Sequence, residues 1–222
     1  ALAEKRPFLV AAILAALAYH YLRSTDLPGL YLILFKGAGV GLLAVYAALR
    51  HASADARLLA WALGAAALGD MAIELDLTAG ALLFFLFHML ALGVFLKHRR
   101  GPMRGGDAWV CGVLVTAVPV IAWLLPADRA LAWQAGLYAL ALGAMAAGAW
   151  ASSFPRTRVG AGALLFVVSD LLLLAGMGPL AGTDLAEQLV WPIYFLGMLL
   201  IATGVITTLA KRNPQLRIVR AR

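Results

Sequence analysis

Long apolar runs, closed by short breaks that carry charge, proline or glycine, recur along the whole chain. A hydrocarbon layer about 30 Å thick needs about 20 apolar residues of helix to cross it. The breaks leave eight such stretches, at residues 8–22, 30–49, 58–75, 79–96, 108–125, 130–150, 159–178 and 189–209. No soluble domain fits in what remains. The pattern predicts an all-α polytopic membrane protein, a single transmembrane domain over 1–222 built as an eight-transmembrane-helix bundle with short loops. The first run is short. Lys5-Arg6, the apolar stretch and Ala16-Leu17-Ala18 also fit a cleavable leader, but the segment is expected to stay as a span.

Composition agrees with the pattern. Residues of the AVILMFWYC set make up 64% of the chain and charged residues 13%, against about 45–50% and about 25% in soluble domains. Eighteen Lys+Arg against eleven Asp+Glu give a net charge of +7, which in a soluble chain would raise nucleic-acid binding. Here the excess is asymmetric. Fifteen of the eighteen fall in the N-terminus, the second, fourth and sixth loops and the C-terminal tail; the other four loops hold two, and Lys36 lies inside a span. By the positive-inside rule both termini are cytoplasmic, and the acidic loops around Asp76 and Asp184 to Glu187 face out. The basic balance is topology, with no nucleic acid implied. The tail from Lys211 to Arg217, with Arg220 and Arg222, is expected to lie on anionic headgroups.

Tryptophans support the count: Trp61, Trp109 and Trp150 fall near inner span ends, Trp123, Trp133 and Trp191 near outer ones, as interfacial belts require. Small residues such as Gly37/Gly39/Gly41, Gly160/Gly162 and Ala144/Gly148 predict close helix packing. The string Gly-Ala-Leu-Leu-Phe occurs at 80–84 and again at 162–166. One cysteine, Cys111, excludes an internal disulfide and a cysteine metal cluster.

Ionisable side chains at mid-membrane cost about 2.5–3.5 kcal/mol each on insertion scales, so they need partners and mark sites. Lys36, Asp70, His88 and Asp170 sit on four different spans. At 1.5 Å rise per residue they lie about 20, 18, 12 and 16 Å from the inner ends. Glu74 follows Asp70 by one turn on the same face, and Tyr138 and Tyr194 reach similar depths. These residues predict a polar cavity opening outward or sideways. Lys36 with one aspartate reads either as an ion pair fixing helix register or as part of a site. One lysine cannot neutralise two aspartates, which predicts a protonated acid beside an ionised carboxylate, the asymmetry that general acid catalysis uses. His88 reads as a hydrogen-bonded core histidine or a proton relay. Glu74 and Asp76 read first as a solvated helix end. Ser169, on a different face from Asp170, reads as a hydrogen-bonding or packing residue. No metal is expected, since no second histidine or cysteine shares the depth of His88.

The segment Leu68-Gly69-Asp70-Met71, followed by Gly80 through Phe84 to His88, resembles the Gly-Asp and Gly-x-x-x-Phe-x-x-x-His segments of the YhhN family. Gly162 to Asp170 is similar to that family's Gly-Ala-x-x-Phe-x-x-Ser-Asp segment, Lys36 to its early intramembrane lysine and Tyr194 to its last-helix tyrosine. The sequence departs from the pattern at Gly37, where the family has proline, and at Met198, where it has glutamine. The resemblance implies a lysoplasmalogenase, a membrane hydrolase cleaving the vinyl ether of a lysophospholipid to a fatty aldehyde and glycerophospho-ethanolamine or -choline. Such a reaction passes through an oxocarbenium ion and asks for an acid and a nearby anion, as glycoside cleavage does. Asp70 and Asp170 are the expected catalytic pair, with His88 holding or relaying a proton. Lys36, Glu74, Tyr138, Ser169 and Tyr194 are the expected substrate-binding residues. No cofactor is expected, the partners are the lysophospholipid and membrane lipids, and the location is a bacterial inner membrane. The rival reading is a proton-coupled transporter using the same Asp/His/Lys cluster.

Overall fold

The computed structural model describes residues 7–103, 105–216 and 218. Among them the chain forms eight α-helices: α1 (Pro7–Leu22), α2 (Gly29–Arg50), α3 (Ala54–Ala72), α4 (Leu77–Lys97), α5 (Gly105–Leu124), α6 (Arg129–Ala151), α7 (Ala161–Gly176) and α8 (Asp184–Arg212). Each expected stretch is a helix, with boundaries displaced by a few residues. Six of them, with α7 counted from Arg156, are long and apolar enough to cross a membrane. Length and composition thus mark six of the eight expected crossings. α1 is apolar but has 16 residues, and α3 carries Asp55, Arg57 and Asp70. The chain is a helical integral membrane protein.

Local chemistry sets the helix ends. The Ser53 hydroxyl accepts from the Ala56 N–H, the Asp76 carboxylate from Ala79 and the Asp128 carboxylate from Ala130, each satisfying one of the donors a helix start leaves open. Pro155 precedes a single turn of π-helix, Arg156–Gly160, which leads into α7. Within the helices Thr116, Thr207 and Thr208 donate to carbonyls one turn back, at 2.8, 2.6 and 2.7 Å, so their hydroxyls add no unmet polar group in hydrocarbon.

The chain divides into two compact units, residues 1–91 with 202–222, and residues 92–201. In the first, α2 packs on both α1 and α3. The start of the tail is tied to the second loop. Ala52 N–H donates to the Leu216 carbonyl at 2.8 Å, and the buried His51 ring bridges Ser53 Oγ and the Asn213 carbonyl, at 2.8 and 3.1 Å. Lys5, Arg6, Arg217, Arg220 and Arg222 lie outside the described residues. In the second unit α5 packs along α6, and the loops after α4 and α6 are joined by the Arg100 N–H to the Ala151 carbonyl and the Ser153 N–H to the His98 carbonyl. There α7 and α8 approach through glycine: a Cβ on Gly162 would collide with the Gly197 carbonyl, and one on Gly197 with the Gly162 carbonyl. Trp191, expected in an interfacial belt, is instead buried within the unit, its ring against Tyr194 and Phe195.

Candidate functional site

Asp70, His88, Lys36 and Glu74 belong to the first unit, and Asp170, Ser169, Tyr138 and Tyr194 to the second. In the first unit the Lys36 ammonium lies 2.5 Å from Glu74 Oε1, with the two side chains 15% and 38% exposed. The Tyr19 hydroxyl donates to the same oxygen at 3.4 Å, and the Tyr19 ring centroid lies 5.5 Å from Lys36 Nζ, within cation–π range. An ammonium about 10 Å along α2 from Gly29 thus keeps a carboxylate, a phenol and an aromatic face as substitutes for water. Glu74 is therefore the lysine's direct partner as well as a helix-end residue. Asp70, one turn earlier on α3, is buried and within electrostatic reach of Lys36. His88 is fully buried on α4, its ring edge-on to Phe87.

Near this cluster the helices touch through one of the glycines singled out in the sequence. Gly69, beside Asp70, faces the Phe84 ring so closely that a Cβ would stand 3.1 Å from it. The Gly-Asp and Gly-x-x-x-Phe segments are thus two halves of one α3–α4 contact.

In the second unit the Tyr138 hydroxyl on α6 donates to Asp170 Oδ2 on α7 at 2.5 Å. Asp170 is 7% exposed, and among the described residues no cation pairs with its carboxyl. Ser169 donates to the Val190 carbonyl at 3.0 Å, tying α7 to α8. Tyr194 is buried edge-on to Phe166, centroids 5.2 Å apart, and tilted against Trp191. The result is a lone carboxyl with one neutral donor in apolar surroundings, an arrangement able to hold and hand over a proton.

Sequence reasoning missed Tyr19 and the pairing of Tyr138 with Asp170. The available signal for Tyr19 was its place at the same end of its span as Glu74. Among the described residues no three His, Cys, Asp or Glu side chains cluster so as to hold a metal ion.

No curated protein and no solved structure matches this chain. The YhhN family does match, over residues 31–205. That range runs from the third residue of α2 into the second half of α8 and takes in Lys36, Asp70, His88, Ser169, Asp170 and Tyr194. With more than three quarters of its length matched, the chain belongs to the YhhN family.

Proposed function

We propose that the chain is a lysoplasmalogenase-like hydrolase that cleaves the vinyl ether bond of a 1-alkenyl lysophospholipid, giving a fatty aldehyde and glycerophospho-ethanolamine or -choline. The observation that carries the reading is the buried Asp170 carboxyl, held by the Tyr138 hydroxyl and unpaired with any cation among the described residues. Membership of the YhhN family supports it. A protein crossing a bacterial inner membrane eight times, with both termini in the cytoplasm, is part of the same proposal.

In this reading Asp170 gives its proton to the β-carbon of the enol ether, and the electron pair of the C=C bond forms the new C–H bond. The adjacent carbon becomes an oxocarbenium centre. Water adds to the cation and gives a proton back to the Asp170 carboxylate. The hemiacetal then collapses, its hydroxyl proton leaving with the glycerol oxygen as an alcohol. Asp70 and His88 are the other catalytic residues of the proposal, the first in the anionic role that a second carboxyl has in glycoside cleavage, the second holding or relaying a proton. Lys36 binds the lipid phosphate, and Glu74, Tyr138, Ser169 and Tyr194 complete the binding residues.

The test is aldehyde release in detergent from a 1-alkenyl lysophospholipid and from its saturated 1-alkyl twin, by wild type and Asp170→Asn. Aldehyde from the alkenyl lipid alone, lost in the variant, is the expected result. A folded, monodisperse wild-type sample that releases none overturns the proposal.

A further inference from the structure

At one end of the second unit α4 and α6 finish while α5 and the turn before α7 begin, and the two short connections there are fastened to each other. Arg99 pairs with Ser152 in an antiparallel bridge. The Arg100 N–H donates to the Ala151 carbonyl at 3.0 Å and the Ser153 N–H to the His98 carbonyl at 2.7 Å. Phe154, fully buried, fills the corner, its ring edge-on to Phe95 and tilted against His98, with centroids 6.2 and 5.0 Å apart.

This frame brings three guanidiniums to one carboxylate. Arg156 is held on three sides: Nη2 lies 2.6 Å from Asp107 Oδ2, Nε donates to the Trp150 carbonyl at 3.3 Å, and the guanidinium carbon stands 5.1 Å from the Trp150 ring centroid. Arg100 donates to the Phe154 carbonyl at 3.1 Å and is within electrostatic reach of Asp107. Arg99 is exposed and within reach of Cys111, one turn further along α5. Three cations against one anion leave an excess of two charges, and among the described residues Arg99 forms no ion pair. The positive-inside rule asks only for charge in a loop, which freely moving side chains supply. It does not account for guanidiniums held by carbonyls, an aromatic face and a backbone bridge. Such fixing leaves less ordering to be done when a ligand arrives, and a guanidinium fork suits phosphate oxygens, which accept paired hydrogen bonds. Depth identifies the source of the phosphate. Trp109, about 3 Å along the helix axis from Asp107, is 71% exposed, as a tryptophan at the level of the headgroups is. The cluster therefore lies where lipid phosphodiesters are the abundant anion.

We infer that Arg99, Arg100 and Arg156 form a binding site for the headgroup of an anionic phospholipid, filled best by one with two phosphodiesters, whose charge matches the excess of two. The site uses none of the residues of the proposed reaction and does not rest on that reading.

The test is native mass spectrometry of the full chain released from detergent, titrated with cardiolipin, with phosphatidylcholine and with inorganic phosphate. One cardiolipin should bind saturably and ahead of phosphatidylcholine. Arg99→Gln changes an exposed side chain, so the fold should survive, and it should weaken that binding about fivefold, the contribution of one cation near anionic lipid. Arg158→Gln removes the same charge from an exposed residue two positions beyond Arg156, outside the cluster, and should change the affinity by less than about twofold. Equal losses in the two variants would mean attraction to net charge and overturn the site. Cardiolipin that binds no tighter than phosphatidylcholine overturns it as well. Inorganic phosphate that displaces the lipid would make this a site for a soluble anion and overturn the lipid assignment.

Discussion

In the first unit the carboxylate of Glu74 meets an ammonium; in the second the carboxyl of Asp170 meets a phenol. The ammonium and the carboxylate lie 2.5 Å apart, and removing either leaves the other charge without its partner in a layer where charge is costly. A phenol demands less. Its O–H can donate to a carboxylate oxygen or to the carbonyl oxygen of the protonated acid, so the acid changes state without losing its partner. The first arrangement is built to fix a charge and the second to move a proton, although both use a residue from one helix against an acid on the next.

The difference is broken most severely by neutralising the proton-carrying acid. Asp170→Asn keeps an acceptor for Tyr138, so the helices should still pack, yet turnover should fall at least a hundredfold, the lower bound usually found when a general acid is lost. Asp70→Asn is expected to remove nearly all turnover as well. Aldehyde release per folded molecule decides both. More than about a tenth of wild-type rate in Asp170→Asn would take the acid away from that residue.

Much of this was legible in the sequence for a simple physical reason. In lipid every charged side chain is conspicuous, so Lys36, Asp70, His88 and Asp170 stand out. Partners were harder to read. Glu74 looked like a solvated helix end because position along one helix says nothing about which neighbouring helix delivers a lysine. Tyr19 offered only its place near the end of its span, since α1 has no polar face to single it out. The π turn at Arg156–Gly160 also escaped, because one i→i+5 turn adds no periodic signal. The tie between the tail and the second loop also escaped, because it is made by the backbone carbonyls of Leu216 and Asn213, which carry no sequence signature.

A milder change tests the phenol itself. Tyr138→Phe removes the O–H donor at Asp170 while keeping the ring. Loss of one hydrogen bond to a buried carboxyl is worth about 1 kcal/mol, so turnover should drop about fivefold and thermal stability modestly. Equal loss to that of Asp170→Asn would show that the tyrosine is itself the proton donor and reverse the roles within the pair.

The smallest effect belongs to the ion pair of the first unit. Lys36→Met leaves Glu74 with the Tyr19 hydroxyl, and Glu74→Gln leaves the ammonium without its direct ion-pair partner. With Glu74 38% exposed, solvent screens much of the attraction, and the coupling between the two sites should be about 1 kcal/mol, near the upper end for accessible pairs. A double-mutant cycle measured by unfolding midpoints isolates that coupling, because each single variant carries its own loss of packing. The double variant should be more stable than the sum of the single losses allows. If the losses simply add, the pair fixes nothing, and Lys36 stands in its span for the lipid phosphate alone. KM separates the same alternatives from another side: a lysine that meets phosphate raises KM when replaced, whether or not Glu74 is present to be stranded.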